Sequence, residues 1–119
     1  MIVLICGDRN WNNFKVIDAF LDTIPQDATI LEGDCRGADK ISGYLARQRG
    51  MTVITEPADW EFYGKRAGPE RNAEMLRKYK VDLVAAFHND ISKSRGTRDM
   101  VVRARKANIP VKIFTEQGL

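Results

Sequence analysis

The stretch EGDCRGAD, residues 32–39, holds two glycines four apart, an Arg just before the second and an Asp two places after it. A plain strand-to-helix turn needs one glycine at most. Two of them beside a guanidinium suit a backbone that approaches an anion. Gly33 opens the path, and the N–H groups of Gly37, Ala38 and Asp39 begin a helix whose N-terminus attracts negative charge. Arg36 adds charge, while Asp39 holds the turn or reaches a ribose hydroxyl. The spacing is not that of a Walker A loop, which has four residues between its glycines and then Lys and Ser/Thr directly, nor is it GxGxxG. The competing reading is a tight turn with an Asp near a helix start.

The run SRGT, residues 94–97, repeats the design. Gly96 clears space, Thr97 caps a helix or bonds a phosphate oxygen, and Arg95 can grip phosphate with two parallel N–H donors. Ser94 completes the turn, and exposed arginines at a capped helix are the alternative. A third segment, ADWEFYGKRAGPERN (58–72), reads as a loop too long for a simple connection. Its Trp60, Phe62 or Tyr63 stacks on a base, closes a lid or covers the sheet edge. Arg71 and Asn72 fall in the first turn of a helix, aimed at the ligand. Candidate acid–base groups are Asp39, Asp99 and Glu70. His88, with no nucleophile pattern near it, reads as structural. No Ser-His-Asp, GxSxG or HExxH pattern is present. Two cysteines and one histidine lack zinc-site spacing, so no metal or resident cofactor is expected.

These turns must be positioned by the apolar runs between them. Strands are predicted at Ile2–Cys6, Ala28–Leu31, Thr52–Thr55, Leu83–Phe87 and Val111–Phe114. Four helices lie between. In the first, Phe14, Ile17, Phe20, Leu21 and Ile24 share a face until Pro25. The second turns Ile41, Leu45 and Ala46 inward and ends at Gly50. The third, GPERNAEMLRKY, has Pro69 and Glu70 in its first turn and a buried face of Ala73, Leu76 and Tyr79. The fourth starts from Thr97 as N-cap, carries Met100, Val101 and Ala104 inward and stops at Asn108–Pro110.

Apolar strands alternating with helices predict an α/β fold: a three-layer, Rossmann-like doubly wound sandwich around a mainly parallel five-stranded sheet, one domain over residues 1–119. Such sheets bind ligands outside the carboxyl ends of their strands, at the switch in strand order. The turns GDCRGAD and SRGT are expected in the strands flanking it. Six of the nine glycines and eight of the nineteen basic side chains follow strand ends on this one rim. Only the tail TEQGL follows the last strand. A Gly-rich, Arg-rich mouth fits a phosphate-bearing ligand.

Composition bounds the reading. With 44% hydrophobic and 29% charged residues, the chain resembles a water-soluble globular protein. No apolar run reaches the roughly 20 residues that span a bilayer, and MIVLICGD lacks the basic start of a signal peptide. A cytoplasmic protein with reduced, structural Cys6 and Cys35 is expected. The net charge of +3 permits an anionic small molecule and argues against a nucleic-acid surface.

Taken in order, GDRNW, EGDCRGAD, PADW, GKRAGPERN and SRGT resemble the YspA-like, YpsA-related members of the SLOG superfamily over nearly the whole chain. This Rossmannoid group also holds the LOG (lysine-decarboxylase-like) phosphoribohydrolases and the DprA/Smf DNA-processing proteins. The resemblance implies a pocket for a nucleotide or nucleotide-derived ligand such as ADP-ribose or NAD, in a small bacterial or phage protein, with a homodimer as the expected assembly. It carries ligand contacts onto Gly7 and Arg9, onto Gly33, Arg36, Gly37, Ala38 and Asp39, onto Arg71 and Asn72, and onto Ser94, Arg95, Gly96 and Thr97; Trp60 joins them as a stacking candidate. LOG enzymes need the Glu of a PGGxGTxxE element. Here SRGTRDM puts Met100 at that place, and Asp99, one position round a helix, points about 100° away. A sensor or sequestering domain is therefore the leading expectation. A hydrolase of the ligand's N-glycosidic or phosphate bond and a single-stranded nucleic-acid module follow it.

Overall fold

In the computed structural model, which describes residues 1–117, five strands form one sheet: β1 (Ile2–Gly7), β2 (Thr29–Glu32), β3 (Thr52–Thr55), β4 (Leu83–Phe87) and β5 (Val111–Phe114). Their order is β3-β2-β1-β4-β5, and every pairing is parallel. β1 is central, with Leu4 in register with Leu31 on one side and Val84 on the other. The helices are α1 (Phe14–Leu21), α2 (Ala38–Gln48), α3 (Trp60–Tyr63), α4 (Ala67–Lys78) and α5 (Gly96–Lys106).

The period-two alternation of β1 divides the core. Val3 and Ile5 join Ile17, Phe20 and Leu21 of α1 and Ala46 of α2 on one face. Leu4 joins Met75 of α4 and Met100 and Ala104 of α5 on the other. Because both faces are covered, the inner strands need to be apolar throughout, and all five residues of β4 are buried. The doubly wound, three-layer architecture follows. No helix among the described residues is long and apolar enough to cross a membrane.

Several local expectations change. β1 runs one residue further, to Gly7, and β2 is displaced by one. α1 stops at Leu21, short of Ile24, although Ile24 still packs against the core. The segment expected to be a long loop contains α3 and a 3₁₀ turn at Gly64–Arg66 and leads straight into α4. The Asp59 side chain starts α3 by accepting from Phe62 N at 3.0 Å. Trp60 and Phe62 are 50% and 77% exposed, so neither covers the sheet edge.

On α4, Ala67, Asn72 and Met75 are the deeply buried side chains, whereas Ala73, Leu76 and the following Tyr79 are half-buried. At α5, Thr97 is not the cap. It lies inside the helix, and Ser94 Oγ accepts its N–H at 3.0 Å. The switch in strand order falls between β1 and β4. SRGT therefore flanks it, but GDCRGAD follows β2 and stands one strand aside; the loop on its other flank is GDRNW. In the tail, Gly118 and Leu119 lie outside the described residues.

Candidate functional site

A cleft of about 510 Å³ opens over the carboxyl ends of β1, β2 and β4. Gly7, Arg9, Gly33, Arg36, Asp39, Trp60, Arg71, Asn72 and the run Ser94–Thr97 all line it. A lobe of about 440 Å³ continues it toward β3, adding Asp34, Pro57 and Ala58. Six cationic side chains (Arg9, Arg36, Lys65, Arg71, Lys93 and Arg95) face the main cleft against two carboxylates, Asp8 and Asp39. Sequence-distant turns thus converge because parallel crossovers return every strand end to one rim.

Gly37 and Ala38 lie beneath this surface. Ala38 is fully buried, and its N–H donates to Asp8 O at 3.1 Å. Gly37 has φ +82°, and a β-carbon there would run into the Asp8 and Arg9 backbone. Part of the N-terminus of α2 is therefore engaged with the loop after β1 and does not face a ligand. Glu70 is exposed and is not among the lining residues.

The turn after β2 is held from within. Buried Asp39 accepts the N–H groups of Gly33 and Cys35 on Oδ2, each at 3.2 Å. Burial raises its carboxyl to about 7; the Cys35 and Gly33 N–H groups and Arg71 oppose the rise, and Glu32 adds to it. Arg71 clasps the same turn. Its Nη1 donates to Gly33 O at 2.6 Å and to Glu56 O at 3.4 Å, and its Nη2 lies 3.7 Å from Cys35 Sγ. A β-carbon on Gly33 would sit 2.6 Å from Arg71 Cζ, so this glycine makes room for the guanidinium.

Asn72 performs the matching task across the cleft. Its side-chain amide donates to Gly96 O at 3.3 Å and to Asp99 Oδ2 at 3.0 Å, which tethers α4 to the first turn of α5. That polar bridge explains why Asn72 turns inward. Asp99 also receives Arg103 Nε at 2.9 Å and does not line the cleft. Gly96 differs from Gly33, because a β-carbon there would meet nothing within 4 Å. Exposed Arg95 and Lys93 stand beside it. At the other end, the Arg9 guanidinium lies 6.0 Å from the centroid of the Trp60 ring.

Several lining residues were not assigned to the site from the sequence, among them Asp8 and His88, the latter read there as structural. His88 follows β4 directly and Asp8 follows β1, so both stand at the switch point. His88 Nε2 is 3.9 Å from Asp8 Oδ2, and His88 Nδ1 accepts Asp90 N–H at 2.9 Å. Their position immediately after the two central strands was the available signal. Cys6 and Cys35 are free thiols that also line the cleft. Burial pushes the Cys6 thiol far above its ordinary value, which leaves it neutral.

A model of the YspA, cpYpsA-related SLOG family matches residues 1–63, from β1 through α3. The gene 61 protein of Mycobacterium phage D29 is 40% identical over 124 residues, an alignment that covers 97% of this chain and 97% of that protein.

Proposed function

We propose, for a chain that belongs to the YspA, cpYpsA-related SLOG family, that the cleft binds a nucleotide-derived anion of the ADP-ribose or NAD type and that the domain senses or sequesters it. Family membership itself points to a nucleotide-related role. The observation that carries the finer reading is the surplus of cations around the strand-order switch, six against two carboxylates. Arg95, Lys93 and the open turn at Gly96 receive phosphate, and Arg36 and Arg9 extend the charge toward the β3 lobe. The half-exposed ring of Trp60 offers a flat apolar face to a base. Binding is favoured over turnover because Asp39 and Asp99 are both engaged in holding loops, and Met100 is buried in the core.

The test is a thermal-shift panel of ADP-ribose, NAD, AMP, cyclic nucleotides and a short single-stranded oligonucleotide. A ligand at about 100 times its Kd adds roughly 2.7 kcal/mol, a shift of several degrees in a domain of this size. A shift with one nucleotide, lost in Arg95→Ala, is expected. Absence of any shift across the panel, or a salt-sensitive shift with the oligonucleotide alone, overturns the reading.

A further inference from the structure

Asp8 and His88 present complementary groups on the cleft wall, one accepting and one donating. An imidazole that accepts an N–H at Nδ1 carries its proton on Nε2, and here that nitrogen faces Asp8 Oδ2. At 3.9 Å the two atoms are beyond hydrogen-bonding distance of each other. Asp8 Oδ1 is occupied by Asn10 N–H at 2.8 Å, which fixes the carboxylate and leaves Oδ2 directed at the histidine. An oxygen lying to one side of this pair can donate to Oδ2 and accept from Nε2–H together. A hydroxyl has both capacities; a phosphate oxygen lacks the proton and would meet the carboxylate's charge.

Four other carboxylates near the strand ends are engaged elsewhere. Glu32, at the end of β2, is buried, and its Oε2 accepts the Thr55 hydroxyl at 2.6 Å. Asp34 pairs with Lys40 at 2.9 Å. Asp39 and Asp99 hold the two turns.

We infer that Asp8 and His88 read a ribose hydroxyl, so that the cleft selects ribose-bearing anions over their deoxy counterparts. The inference rests on the cleft being a phosphate-ligand site and adds the sugar to it. A site built to bond a hydroxyl disfavours the analogue that lacks it, because its polar groups, here half-buried, each lose a partner. The loss of one such bond amounts to about tenfold in affinity.

The experiment measures binding of AMP, 2′-deoxy-AMP, 3′-deoxy-AMP, ribose 5-phosphate, 2-deoxyribose 5-phosphate and inorganic phosphate by calorimetry. Wild type, Asp8→Asn and His88→Asn are compared. Asp8→Asn keeps an oxygen for Asn10 N–H, and His88→Asn keeps an acceptor for Asp90 N–H, so each preserves its local turn. Ligand-free melting temperatures check this. The expected result is that one deoxy form of AMP binds wild type about tenfold more weakly than AMP, and that the gap closes in both variants. Equal binding of ribo and deoxy forms to wild type, or a gap that persists in both variants, overturns the hydroxyl reading and leaves the phosphate site standing. Failure of every probe removes the site itself, and this inference with it.

Discussion

Gly33 has a guanidinium where its β-carbon would be. Gly33→Ala therefore forces Arg71 out of its bond to the Gly33 carbonyl. The guanidinium is the far end of a flexible side chain and moves aside, so the cost is the lost bond, about 1 kcal/mol, and differential scanning calorimetry should record a drop of a few degrees. Trp60→Ala should behave in the opposite way. The ring is half exposed, so the melting temperature holds, while AMP loses its advantage over ribose 5-phosphate. Stacking on one aromatic ring is worth about 1–3 kcal/mol per base. Trp11 is buried and Trp60 is not, so quenching of tryptophan fluorescence by added nucleotide should disappear in Trp60→Phe. The sequence located both residues but misread Gly33, because the side chain that requires its smallness lies 38 positions away.

At the scale of the element, the two turns are stabilised by side chains rather than by sequence-local backbone alone. Removing the Ser94 hydroxyl, which caps Thr97 N–H, should cost about 1 kcal/mol of stability, read as a lower urea midpoint for Ser94→Ala. Asp39 makes the turn after β2 sensitive to pH. Its folded carboxyl titrates at about 7 against an ordinary value of 3.8, so the folded state retains a proton that the unfolded state has lost. Its contribution is fullest below about pH 4 and is lost as pH rises through about 7. Glu56, held below its ordinary value chiefly by the Tyr79 hydroxyl, acts in the other direction. The check is therefore the difference between wild type and Asp39→Asn, measured by urea unfolding across that range; it should shift in favour of the Asn variant with rising pH. Elements with a strong period were legible: β3, β4 and β5 fall where their apolar runs lie. α3 was not, because four residues are too few for a helical period and its start depends on a single Asp59 cap.

For the molecule as a whole, alternation of apolar runs and amphipathic stretches was enough to give the layers and the rim on which the turns converge. Strand order was not legible, since both neighbours of β1 are set by long-range pairing. That left GDCRGAD wrongly beside the switch and hid Asp8 and His88, which converge only once β1 and β4 pair. The net charge of +3 understates the field at the cleft, where six cations gather. Affinity for a phosphate ligand should fall several-fold from about 50 mM to about 500 mM NaCl, because screening tightens over that range. Binding of ribose alone should not change. The central place of β1 has one more consequence. Residues 1–63 hold β1, β2 and β3, whereas β4, β5 and the SRGT turn come from the rest of the chain. A cut at exposed Gly64 would divide the pocket between two fragments and strip β1 of its β4 neighbour. Neither fragment alone would hold both Asp8 and His88, so recovery of nucleotide binding would report that the two halves had found each other.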